Sequence, residues 1–194
     1  MQVRALTMMD AVFPRATLAR DLLLILGFTA VTALSAQIAF YNGPVPITGQ
    51  TFAVLLAGAL LGSKRGALSQ LTYLGMGVMG APIFAGWMGG PAVLMGPTGG
   101  YIVGFVAAAF VVGLLAERGW DRRTWSMALA MLIGNSVIYV FGLSWLSIWL
   151  GHFASKSSVL ATGLYPFIPG DLLKVVLAAV ALPSGWALLN RFGR

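Results

Sequence analysis

The chain has 194 residues, of which 59% are hydrophobic and only 9% charged, whereas a soluble globular protein has roughly 45–50% and about 25%. This excludes a water-soluble domain and assigns the chain to a bilayer, where six spans of about 20 residues each absorb most of its length. The lack of cysteine removes disulfides, thiolate metal sites and cysteine nucleophiles. The net charge of +7, scattered over short connections, reads as a membrane-orientation signal, with no nucleic-acid partner.

Residues 1–21 lack the order of basic region, apolar run and small-residue cleavage site, so they are read as a retained cytoplasmic segment. The membrane domain is expected over residues 22–190. Span one covers 22–40, uncharged between Asp21 and the turn Tyr41-Asn42-Gly43-Pro44. Span two covers 45–63, its first residues dipping toward the membrane and Lys64-Arg65 closing it. Span three, 66–87, is rich in glycine and ends where Gly86, Gly89, Gly90 and Pro91 break the helix. Span four, 99–116, is followed by a charged connection and by span five, 125–150. Span six, 170–189, has Asp171 and Lys174 in its first turn and Pro183 as an expected kink. Residues 191–194 form a tail.

Ten of the 12 basic residues fall on one side of these spans: Arg4, Arg15, Arg20, Lys64, Arg65, Arg118, Arg122, Arg123, Arg191 and Arg194. Short loops rich in Lys and Arg stay inside, so both termini are expected to be cytoplasmic. The outer connections, 41–50, 86–98 and 151–169, are rich in Gly and Pro and hold one formal charge, Lys156. Loops held by a rigid scaffold commonly bind ligands, which points to an outward pocket. Gly75, Gly77 and Gly80 are read as helix-packing residues. Gly99 and Gly100, between a proline turn and a helix start, are read as permitting close backbone approach to a ligand.

Asp171 and Lys174, three apart on one helical face, can reach the same ligand, and charges inside spans are functional candidates by default. The alternative is that Asp171 caps the helix start while Lys174 pairs with it and snorkels outward. Gln37, Gln50, Gln70, Asn135 and Tyr139 carry hydrogen-bonding groups that either tie helices together or line the pocket. Trp87, Trp145 and Trp149 suit an outer aromatic belt, with Trp87 also placed to meet ligand. His152, the only histidine, excludes a multi-histidine metal site. No phosphate-binding Gly-x-x-x-x-Gly-Lys-Ser/Thr loop occurs, so ATP hydrolysis and cofactors are not expected in this chain. No nucleophile, base or metal set supports catalysis beyond a faint Gly142-Leu143-Ser144-Trp145 with His152.

Three ordered motifs, Val45-Pro46-Ile47-Thr48-Gly49-Gln50-Thr51, Gly96-Pro97-Thr98-Gly99-Gly100-Tyr101 and Pro169-Gly170-Asp171-Leu172-Leu173-Lys174, resemble the BioY family over about residues 20–190. These are the biotin-binding S components of energy-coupling factor (ECF) vitamin transporters. The resemblance implies an all-α integral membrane S-component bundle of six transmembrane helices in a bacterial or archaeal cytoplasmic membrane. It also implies biotin as substrate, with a membrane coupling (T) subunit and two ATP-binding cassette ATPases as partners, the ATPases hydrolysing ATP. By motif the family's substrate-contacting charges fall on Asp171 and Lys174, with Trp87 or Tyr41 against the apolar bicycle. Some members place an arginine shortly before the Gly-Pro-Thr-Gly-Gly motif, where this chain has only Pro91 to Met95 and so no second carboxylate anchor of that kind.

The family's Ala-x-x-x-Ala pattern in helix one, which packs against the coupling subunit, is replaced here by Thr29 with Ala33 and Thr32 with Ala36, beside Ala30. Thr29, Ala30, Ala33 and Ala36 are the candidate interface, with core packing as the other reading. Toppling of the S component within the membrane is implied by the resemblance alone. Self-association, an S component for another vitamin, and a membrane enzyme are the remaining alternatives.

Overall fold

The computed structural model describes residues 7–41, 43–151 and 156–192; Arg4, Asn42, His152 and Arg194, and the side chain of Lys156, lie outside them. The chain is almost wholly helical. A short α1 (Met8–Val12) is capped by the hydroxyl of Thr7, which accepts from the Asp10 N–H. Thr17 caps α2 (Leu18–Ala36) in the same way, accepting from the Arg20 N–H. Two short strands, β1 (Ala39–Phe40) and β2 (Ile47–Thr48), pair antiparallel with Ala39 opposite Thr48. Then come α3 (Gln50–Leu61), α4 (Ser63–Val78), a one-turn α5 (Pro91–Met95), α6 (Gly99–Glu117), α7 (Thr124–Leu150), α8 (Lys156–Gly163) and α9 (Ile168–Phe192).

The helix α6 is the axis of the bundle, with α7 packed on one flank and α3 and α4 on the other; α2 lies against α4 and α9 against α7. In lipid, helices gain little from apolar burial and rely on close packing of small residues. That is how α6 meets its neighbours. A β-carbon added at Gly58 of α3 would come within 2.4 Å of the Ala109 carbonyl oxygen, and one at Gly113 within 2.4 Å of the Gly62 carbonyl carbon. Gly62 alone joins α3 to α4, at φ 86°, a conformation that suits glycine. Across this turn Glu117 caps α4, its Oε1 accepting from Ser63 N–H at 2.7 Å and Ser63 Oγ at 2.9 Å.

Among the described residues, α2, α6, α7 and the stretch 158–191 are long and apolar enough to cross a membrane, while α3 has 12 residues and α4 has 16. The outward face of α9 shows the solvent it is built for. Leu172, Leu173, Val176, Leu177 and Val180 are each 49–61% exposed, a continuous apolar surface that suits lipid and not water.

The end of the bundle carrying Lys64 and Arg65 is held by ion pairs. Arg65 meets Asp10 at 2.8 Å and Asp21 at 3.1 Å, and Arg20 meets Asp10 at 2.6 Å. Partial burial pushes the Asp10 carboxyl up, but hydrogen bonds from Thr7, Arg65 and Arg20 prevail and hold it below its ordinary value. Asp121, in the α6–α7 connection, behaves oppositely: burial dominates and raises it, although Trp186 Nε1 donates to its Oδ2 and Arg122 is nearby.

Several boundaries shift from the sequence expectation. Residues 45–48 belong to the hairpin, so the helix expected as the second span begins at Gln50. The third ends at Val78, and Ala85–Trp87 forms a separate 3-10 turn. The last helix extends to residues 168–192 and continues through Pro183, which removes one backbone donor.

Candidate functional site

The three ordered motifs converge at the charge-poor end. Lys174, in the second turn of α9, uses its ammonium fully: Nζ donates to Thr48 O at 3.0 Å, Thr51 Oγ1 at 2.8 Å and Asp171 Oδ1 at 3.1 Å. The other Asp171 oxygen accepts from the Tyr139 hydroxyl of α7. The pair is largely buried, its side chains 16% and 9% exposed. Spacing along α9 brings the two charges together, and they tie the hairpin, the start of α3 and α7 to one point. Such a pair persists at depth only with every hydrogen-bonding group satisfied.

Next to this pair lies a cavity of about 50 Å³, lined by Thr48, Gln50 and Thr51 on one side and by Tyr101, Tyr139 and Phe167 on another. Tyr101 and Phe167 stack at 6.3 Å between ring centroids, and Tyr139 stands edge-on to both. Phe84, Ala85 and Met88 form a further part of the wall. Asp171 and Lys174 stand one bond behind this lining, reached through Tyr139, Thr48 and Thr51. Small-molecule sites typically hold 300–1,000 Å³, so the cavity in this conformation is smaller than such a site. A larger open groove, about 670 Å³, runs over Leu94, Gly99, Gly100, Phe141 and Trp145 on the outside of the bundle. It offers almost no polar group to orient a ligand.

The other sequence candidates fall at different distances from the cavity. Gln50 lines it, but its amide is already engaged: Nε2 donates to Tyr73 Oη at 2.7 Å, and Oε1 accepts from Thr48 Oγ1 at 3.0 Å. Tyr73 Oη in turn donates to Ile83 O at 3.1 Å. Asn135, buried one turn before Tyr139 on the same face of α7, sits below the lining. Trp87 and Tyr41 are 64% and 62% exposed on the outer surface, and the Tyr41 hydroxyl lies where a β-carbon on Gly86 would approach it to 2.7 Å.

Gly99 and Gly100 are in close contact with the chain itself. Their missing side chains admit the chain's own backbone: a β-carbon on Gly99 would meet Leu94 O at 1.8 Å, and one on Gly100 would meet Phe141 O at 2.4 Å. They lie behind the cavity wall, which Trp145 reinforces by donating from Nε1 to Gly96 O at 2.8 Å. On α2, Thr29 and Ala36 are buried, Thr29 donating to Ser69 O of α4 at 2.9 Å; Ala33 is half-buried and Ala30 is exposed. Gln70 bonds Thr32 within the same α2–α4 contact.

Sequence reasoning missed Tyr101 and Phe167, the two stacked walls. Tyr101 carried a usable signal, since it follows the Gly99-Gly100 pair directly. Phe167 carried none.

The BioY family model matches residues 5–191 of this chain. The probable biotin transporter BioY of Pyrococcus horikoshii is 43% identical over 84% of this chain and 93% of that protein. The biotin transporter BioY of Thermotoga maritima is 42% identical over 79% of this chain and 88% of that protein. A crystal structure of the S-component for biotin from an ECF-type ABC transporter superimposes with a TM-score of 0.75 at 27% identity, covering 88% of this chain and 94% of that one. By the extent of the family match and the identity to these relatives, the chain belongs to the BioY family.

Proposed function

We propose that this chain takes up biotin as the high-affinity binding (S) component of an ECF-type transporter, and that it is not an enzyme. The observation that carries the binding role is the buried Asp171–Lys174 pair beside an aromatic cavity. An ionised carboxylate only accepts hydrogen bonds and an ammonium only donates them. The ureido ring of biotin offers N–H donors to Asp171 and a carbonyl to Lys174, and its carboxylate is the alternative partner for Lys174. Its apolar bicycle suits the Tyr101–Phe167 stack. Trp87, Tyr41, Gln50, Asn135, Tyr139, Gly99 and Gly100 complete the proposed binding region, with Gln50, Gly99 and Gly100 shaping it through contacts within the chain.

In this reading α2, α3, α4, α6, α7 and α9 are six membrane crossings, and the concentration of Arg and Lys at one end puts both termini in the cytoplasm. The pocket then opens outward. A membrane coupling subunit and two ATPases supply the energy, and the S component topples to empty its pocket inward. Of the α2 candidates, Ala30 lies on the outward face beside Gly27, whose added β-carbon would meet nothing within 4 Å. That face suits the coupling subunit, with Ala33 at its edge and Thr29 and Ala36 supporting it from inside.

Titration of biotin, its methyl ester and an unrelated vitamin into the detergent-purified protein tests the reading. Biotin is expected to bind alone or far more tightly than the unrelated vitamin. Equal affinity for the ester assigns Lys174 to the ureido end, and tighter binding of the unrelated vitamin would redirect the substrate.

A further inference from the structure

Gln37, the C-cap residue just after α2, holds the cavity's 84–88 wall from outside. Its Nε2 donates to Ala33 O at 3.1 Å within its own helix and to Phe84 O at 3.1 Å across the chain. Its Oε1 accepts from the Trp87 N–H at 3.1 Å. One amide therefore spans Phe84 to Trp87, donating to the first and accepting from the last. Capping α2 needs only the bond to Ala33. The other two reach residues 47 and 50 positions away.

What the amide grips is a turn that local preferences oppose. Trp87 has φ 58° and is the only non-glycine residue with positive φ among the described residues; Gly86 beside it has φ 69°. A bulky side chain in that region is an outlier and persists only where its surroundings impose it. Phe84 N–H donating to Met88 O at 2.9 Å closes the turn. Phe84, Ala85 and Met88, three residues of this turn, line the cavity.

We propose that Gln37 is a positioning residue for ligand binding: it touches no ligand and keeps the 84–88 wall folded over the pocket by clipping the turn to the outer end of α2. This deepens the assignment of the cavity to biotin and rests on it. Each lost hydrogen bond of this kind is expected to change an equilibrium by about tenfold. The loss should appear as faster ligand escape, because the wall covers a bound molecule.

Gln37→Ala and Gln37→Glu are compared with the wild type in nanodiscs by hydrogen exchange of the peptide covering Trp87, dissociation of radiolabelled biotin, and thermal melting. For Gln37→Ala, exchange at Trp87 should rise at least about tenfold and biotin should leave about tenfold faster, with exchange elsewhere unchanged. Gln37→Glu keeps the acceptor for Trp87 and loses the donor to Phe84, so it should fall between. Wild-type exchange at Trp87 in Gln37→Ala, a rise spread evenly over the chain, or faster exchange with unaltered biotin release would each overturn the proposal. Failure of the wild type to bind biotin would instead sink the assignment of the cavity, and the Trp87 exchange would still decide whether the clip exists.

Discussion

The two ends of the bundle hold their charges in different ways. At the basic end Arg65 is satisfied by Asp10 and Asp21, carried on α1 and α2, so each ion pair joins elements of the scaffold. At the other end Lys174 has one carboxylate on its own helix and takes its remaining partners from the hairpin carbonyl of Thr48 and the hydroxyl of Thr51. The first arrangement can loosen only by separating helices. The second can exchange a loop partner for a ligand group while the helices stay packed, which is how the proposed binding role would draw on a buried charge.

Breaking the pocket pair should have the largest effect. Truncating one partner of a buried, hydrogen-bonded charge pair costs about 2–5 kcal/mol, so Lys174→Ala should weaken biotin binding by roughly thirtyfold to several thousandfold, read by titration. Tyr139→Phe removes only the hydroxyl that donates to Asp171. A loss of about tenfold in the same titration is expected. At the basic end Arg65→Ala should lower thermal stability by about 1 kcal/mol, the scale of a partly solvated ion pair, with biotin affinity unchanged. Equal loss of affinity at both ends would erase the contrast.

Two carboxylates of the basic end, Asp10 and Asp121, sharpen it through pH, with opposite signs. Asp10, held low, contributes stability that is present at neutral pH and lost as pH falls below the ordinary aspartate range. Asp121 is raised, so the folded state holds its proton more firmly and stability declines as pH rises through the interval above the ordinary aspartate value. Melting curves of Asp10→Asn and Asp121→Asn against pH should each lose one of these slopes. At neutral pH Asp121→Asn should change stability by less than about 1 kcal/mol, because its amide oxygen still accepts from Trp186.

The main helices were legible because apolar runs and charged stops are local signals. The α3 start was not, since an uncharged Pro44–Thr48 reads equally as span or loop until Ala39–Phe40 is available to pair with it. In the site, Asp171 and Lys174 stood out because charge at membrane depth is rare. Their partners Thr48, Thr51 and Tyr139 come together only through tertiary packing. The same holds for Gly99 and Gly100: the sequence announces a close approach and does not say to what, and the approach is to Leu94 and α7. Gln37 reads as one more polar group in a span until its two long-range bonds are seen.

The most direct test of the account is calorimetric titration of biotin into the wild type, Asp171→Asn and Lys174→Ala, purified alike and matched for thermal melting. Tight binding by the wild type and its loss in both variants is the predicted result. Wild-type affinity in both variants would contradict it, leaving the pair to cap α9 and fasten the hairpin with no part in holding the vitamin.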